Sequence, residues 1–149
     1  MRKSLFLAAL CGGICIAGSR SYLKKSPDRY YQWYKTLHQW ICIRQDGVQI
    51  TDYFLENGYK RVAVYGMGEL GRLFVKELRD TSIEIPYVID QNAGNISAQG
   101  IKTVTLKEAG EEADVIVVSV VDKFEVIKAD IERSVNVPVL SLDDVLFSL

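Results

Sequence analysis

The sequence predicts an open α/β domain, a doubly wound parallel sheet of about five strands behind an N-terminal helical extension. Three observations carry this. From residue 61 onward, short β-branched apolar runs alternate with helical patterns. A glycine-rich turn joins the first of those runs to the first of those helices. The length, 149 residues with 48% hydrophobic content, suits one globular domain with a short extension.

The first stretch, residues 1–29, is basic and apolar. Arg2, Lys3, Arg20, Lys24, Lys25 and Arg29 face Asp28 alone. Between them, residues 5–18 form an apolar run with Gly12, Gly13 and Gly18 inside it. That is shorter than the roughly 18–20 residues a spanning helix needs. Its basic flanks suit association with anionic lipid, at about 1 kcal/mol per cation. Cations after the run favour keeping the following chain inside the cell. The expectation is a membrane-associated anchor that holds the domain at the cytoplasmic face. The alternatives are a helix packed on a soluble cytoplasmic domain and a cleaved export signal.

The second stretch, residues 30–58, reads as a helical extension. Tyr30, Trp33, Tyr34, Leu37, Trp40 and Ile41 recur at helical spacing and give an aromatic stripe. The stripe suits core packing or a homodimer seam over Tyr30–Ile41. Asp46-Gly47 is a turn, and a short helix over Val48–Asn57 ends at Gly58. Tyr31 and Lys35 match the YxxxK spacing of short-chain dehydrogenases, but they precede the first strand. One helical turn apart, they read as a surface pair, and His38 as a helix-face residue.

The main domain is residues 59–149. Arg61–Tyr65 is a buried strand, and Gly66-Met67-Gly68-Glu69-Leu70-Gly71 follows directly. A helix then presents Leu70, Leu73, Phe74 and Leu78 on one face. A second strand, Ile85–Ile89, ends in Asp90. Strand, GxGxxG turn, helix, strand and acidic residue in this order form a Rossmann-like unit. Ile101–Val104 is a third strand, and Thr105 with Glu108 starts a short helix as a capping box. Val115–Val121 is a buried strand, and Asp122 caps a helix bearing Phe124, Ile127, Ile131 and Val135. Val137–Leu140 is the last strand, and Ser141 opens a C-terminal helix. Right-handed crossovers then give the order 3-2-1-4-5, with the first and fourth strands adjacent at the switch point.

The turn has a chemical logic. Gly66 allows a tight exit from the strand, Gly68 lets a phosphate approach the backbone, and Gly71 lets the helix pack closely. The helix N-terminus that follows offers unpaired N–H groups and a partial positive charge to an anion. Asp90 could accept hydrogen bonds from ribose hydroxyls, which disfavours a 2′-phosphate there. Ser119 and Val120, at the end of the fourth strand, would line the same pocket. The candidate site is therefore Gly66, Met67, Gly68, Glu69, Leu70, Gly71, Asp90, Ser119 and Val120, with NAD(P) or a nucleotide-sugar as ligand. Glu69 is the discordant member, because its carboxylate stands close to any bound pyrophosphate.

Composition removes other classes. Cys11, Cys15 and Cys42 are too few and too badly spaced for a disulfide framework, and with His38 alone no metal site is expected. No lysine follows Gly71 as in a P-loop. From Arg61 on, nine Lys/Arg stand against fifteen Asp/Glu, so nucleic acid is not an expected partner.

Four groups of residues carry a resemblance. They are Val62-Ala63-Val64-Tyr65-Gly66-Met67-Gly68-Glu69-Leu70-Gly71, Tyr87-Val88-Ile89-Asp90, Gly100-Ile101-Lys102-Thr103-Val104 and Val115-Ile116-Val117-Val118-Ser119. Through them Tyr59–Val145 resembles the Rossmann-like domain of bacterial nucleotide-sugar dehydratases and of sugar acyltransferases in capsule and glycan pathways. From Tyr30 the chain also looks like small proteins of polysaccharide loci. The resemblance implies a nucleotide-sugar or NAD(P)-binding module serving membrane-linked polysaccharide biosynthesis. A glycosyltransferase or another glycan-assembly protein is then the implied partner. Neither a dehydratase catalytic domain nor an acyltransferase β-helix follows the unit, so no turnover by the module itself is expected. Two alternatives stand beside this reading. One is a small NAD(P)-dependent oxidoreductase or epimerase with Ser119 over the nicotinamide. The other is a protein-interaction domain with a degenerate pocket. The turn with Leu70-Gly71-Arg72 also looks like the NADH domain of redox-sensing repressors. However, residues 30–60 lack a basic recognition face.

Overall fold

A computed structural model describes residues 27–93 and 100–149. The expected anchor at residues 5–18 lies outside these residues. One parallel sheet contains β1 (Val62–Tyr65), β2 (Val88–Ile89), β3 (Thr103–Val104), β4 (Val115–Val118) and β5 (Val139–Ser141). Their order is 3-2-1-4-5, as the sequence predicts. In the central pair, Val62 lies opposite Val115 and Tyr65 opposite Val118. Alternating side chains of these strands enter two cores. Val62, Val64, Val115 and Val117 face one, and Ala63, Tyr65, Ile116 and Val118 face the other. Burial on both faces explains why the strands read as continuous apolar runs.

The first core is closed by α1 (Pro27–Gln45), α2 (Ile50–Glu56), α3 (Glu69–Leu78) and α5 (Leu142–Phe147). The second is closed by α4 (Phe124–Glu132), which inserts Ile131. The extension is therefore part of the core. Thr36, Trp40 and Ile43 of α1 are buried, and Trp40 meets Phe74 edge to face at 6.3 Å. The expected stripe divides, because Tyr30, Tyr34 and Ile41 stay 56–63% exposed. The inward face is instead set by α5. The Thr36 hydroxyl lies 2.5 Å from Asp143 Oδ1, and Gln39 donates to the Leu146 carbonyl at 3.2 Å. Arg44 pairs with Glu77 near the end of α3 at 2.5 Å. Successive residues of α1 thus meet successive residues of α3 and α5, so the three helices run the same way. Since α3 and α5 start at the carboxyl ends of strands, the N-terminal end of α1 stands at that edge too.

Several elements are shorter than their patterns. Pro86 has no N–H, so β2 starts at Val88 and only an Arg61–Glu84 bridge continues the pairing. β4 stops at Val118, and a 3₁₀ turn over Val121–Lys123 precedes α4. Asp122 does not cap α4, since Lys123 holds that position without a side-chain bond. Asp122 pairs across to Arg29 instead, at 3.8 Å. The Thr105 capping box forms, with backbone N–H and hydroxyl both donating to Glu108 Oε2 at 2.9 and 2.8 Å, but it opens only a 3₁₀ turn. Ser141 caps α5 as expected, accepting the Asp143 N–H at 3.2 Å. Gly58 takes the left-handed conformation after α2, with φ +76°. Among the described residues, no helix is long and apolar enough to cross a membrane.

Candidate functional site

Two of the three turn glycines are required by the fold. Gly66 leaves β1 with φ +92°, and a Cβ there would stand 2.6 Å from Val120 Cγ2. A Cβ on Gly71 would stand 1.9 Å from the Gly66 carbonyl oxygen, so α3 rests directly on the turn. Gly68 differs. It caps α3 at φ −69°, which any residue adopts, and a Cβ there meets nothing within 4 Å. The open space lies at the start of the helix, where the first N–H groups have no partner within the helix. The Arg72 N–H donates to the Gly68 carbonyl at 3.1 Å, which closes the first turn of α3.

Asp90 is tied to this turn. Its Oδ2 accepts the Met67 N–H at 2.8 Å, and its Oδ1 accepts the Asn92 N–H at 2.9 Å. Next to it, the Tyr65 hydroxyl has its pKa pushed up, chiefly by burial. The Gln91 side chain opposes that shift, and the charges of Asp130 and Asp90 add to it. Ser119 comes up from β4 beneath the turn. Its hydroxyl is buried within 2.7 Å of the Gly66 carbonyl oxygen and 3.1 Å of that of Tyr65. The sequence places Ser119 beside the turn correctly, but the hydroxyl faces inward and braces the loop. Met67 and Leu70 are likewise buried, and the Met67 N–H, taken by Asp90, is not free for a ligand. Val120 packs against Gly66. Glu69 points out to Arg72 at 3.3 Å, which turns its carboxylate from the turn toward a cation.

Sequence reasoning missed Arg29. It lies 37 positions before Gly66, and only the path of α1 brings it to the carboxyl edge of the sheet. There its guanidinium sits 5.0 Å from the centre of the Trp33 ring, and its Nε is buried without a hydrogen-bond partner. The other candidates weighed above fall elsewhere. Tyr31 is exposed, Lys35 lies over the Phe147 ring at 5.4 Å, and His38 Nδ1 is 3.8 Å from Cys42 Sγ. No group of three or more His, Cys, Asp or Glu that could hold a metal occurs among the described residues.

The open face at Gly68 and the N-terminus of α3 together offer backbone that an anion can approach. Comparison with known proteins points the same way. Residues 57–145 match the family described as acetohydroxy acid isomeroreductase, NADPH-binding domain. A ketol-acid reductoisomerase (NADP(+)) from Beutenbergia cavernae is 32% identical over 82 residues, which are 52% of this chain and 24% of that protein. The chain thus spans about a quarter of the length of that relative. No solved structure matches. The resemblance to capsule and glycan proteins finds no support in these matches, nor does a glycosyltransferase partner. With more than half of its residues matched, the chain belongs to the family of acetohydroxy acid isomeroreductase NADPH-binding domains.

Proposed function

We propose that this chain binds an NAD(P)-type dinucleotide, with the pyrophosphate over Gly66–Gly71 and the adenine-side ribose beside Asp90. One observation carries the reading beyond family membership. The fold uses Gly66 and Gly71 but has no use for the missing side chain at Gly68. A backbone left bare toward open space at a helix N-terminus suits an approaching phosphate. The bound group would supply hydride chemistry. The chain's own residues bind and orient it, and Ser119 holds the turn in shape. The Ser119 hydroxyl is engaged by two carbonyl oxygens, which suits bracing the turn rather than proton transfer.

Gly68→Asp tests the binding. Aspartate is a favourable helix N-cap and its Cβ meets no neighbour here, so stability should hold or rise. Its carboxylate would fill the phosphate position, so dinucleotide binding should be lost. In thermal-shift measurements, a ligand at 100 times its Kd should add about 2.7 kcal/mol to the wild type. A Gly68→Asp protein that keeps this gain would refute the site. Turnover is tested separately. NAD(P)H oxidation by the purified chain, abolished by Ser119→Ala, would favour the oxidoreductase reading.

We also propose that residues 5–18 associate with a membrane and hold the domain at its cytoplasmic face. The run and its flanking cations support this reading. Full-length protein that stays soluble at low salt without detergent would refute it. For Tyr30, Tyr34 and Ile41, exposed on α1, pairing with a second copy is the matching proposal, read by sedimentation equilibrium.

A further inference from the structure

We infer that this chain selects NAD(H) over NADP(H), against the name of its family. The inference rests on the dinucleotide site proposed above and concerns the carboxyl end of β2. Asp90 is fixed there by two backbone N–H groups, from Met67 on one side and Asn92 on the other. A carboxylate held at both oxygens cannot swing away without leaving the Met67 N–H unpaired, in a residue that is 3% exposed. Its remaining lone pairs accept hydrogen bonds, which suits the hydroxyls of an unmodified ribose.

A 2′-phosphate reverses that match. It brings nearly two negative charges and only acceptor oxygens against an acceptor that is itself charged. A cation would have to offset the repulsion, and among the described residues no Lys or Arg forms an ion pair with Asp90. The connection from β2 to β3, residues 90–102, has Lys102 alone as a cation, at the amino end of β3, and Lys107 follows β3 as an exposed residue. Arg72 pairs with Glu69 on α3. Arg29 is paired with Asp122, after β4. In the order 3-2-1-4-5, β4 stands two strands from β2, or about 10 Å. The adenine-side ribose of NAD(H) therefore meets a partner, and that of NADP(H) meets a fixed like charge.

The test is direct titration of the full chain with NADH and NADPH, followed by nicotinamide fluorescence, and with ADP-ribose and its 2′-phosphate by calorimetry. NADH should bind roughly tenfold to a hundredfold tighter, which is the scale of one close charge repulsion in a partly exposed site. The ratio should shrink as salt rises. Asp90→Asn keeps an oxygen for the Met67 N–H but removes the charge, so NADPH should gain about tenfold and NADH far less. If the variant does not fold, the wild-type ratio and its salt dependence decide alone. NADPH binding as tightly as NADH, or tighter, overturns the selectivity and leaves the site standing. Binding of neither overturns both.

Discussion

A methyl group separates the two helix-side glycines of the turn. Gly71→Ala would place carbon 1.9 Å from the Gly66 carbonyl oxygen, so α3 must move off the turn. Such overpacking costs about 1–3 kcal/mol, and urea denaturation should show at least that loss. Gly68→Ala meets no atom and should cost under about 1 kcal/mol, the scale of a cap substitution. Equal losses at the two positions would mean that α3 does not rest on Gly66. At the opposite edge of the sheet, Asp114 ties β1 to β4. It accepts the N–H groups of Lys60 and Arg61 at 2.9 and 2.8 Å and the Arg61 guanidinium at 2.7 Å. The guanidinium, with those backbone donors, holds its carboxyl down to about 2. A depressed folded-state value stabilises above the unfolded value, about 3.9, and that contribution fades as pH falls through about 2. Asp114→Asn should therefore be less stable than the wild type at pH 7, with the gap closing toward pH 2. A gap unchanged between pH 7 and pH 3 would contradict this account. The glycines and Asp90 were legible as residues because spacing exposes them. The inward turn of Ser119 was not, because only the register of β1 and β4 sets which way its hydroxyl faces.

At the scale of elements, α1 decides how much chain the domain needs. The family match starts at residue 57, yet the first core includes Trp40, Ile43, Ile50 and Phe54. Trp40→Ala should cost about 3–5 kcal/mol, the range for a buried tryptophan. A chain starting at Tyr59 should lose cooperative unfolding, because Phe74 and Leu146 lose their cover. A sharp urea transition in that fragment would show that α1 is only an appendage. The α-helices were legible chiefly from periodicity, and their order holds, whereas Asp122 is not a cap and Thr105 opens only a 3₁₀ turn. The faces of the helices were less legible. The spacing of Tyr30, Tyr34 and Ile41 fits a buried stripe as well as the face that is buried. Thr36 gives no apolar signal, and it is drawn inward by a carboxylate 107 positions away.

For the molecule as a whole, one core running through α1 and the sheet predicts a single unfolding transition. Both tryptophans, Trp33 and Trp40, lie in α1, so their fluorescence reports that helix alone. Far-UV circular dichroism reports all helices and strands. The two probes should give the same midpoint in urea. Fluorescence changing first would mean that α1 leaves an intact sheet.

The sequence by itself determined the class of fold, the strand order and the place of the glycine turn. Each of these follows from local rules: apolar runs buried on two faces, right-handed crossovers, and glycines where a strand turns into a helix. Only the tertiary structure decided which glycine faces open space, where Asp90 spends its hydrogen bonds, and that Arg29 reaches the carboxyl edge of the sheet. These depend on atoms brought together from distant parts of the chain. Gly71 is required by the Gly66 carbonyl, Asp90 is held by Met67, and Arg29 is carried to Asp122 by a helix packed between α3 and α5. Spacing along the chain carries no record of such contacts, because they are fixed by how whole elements pack.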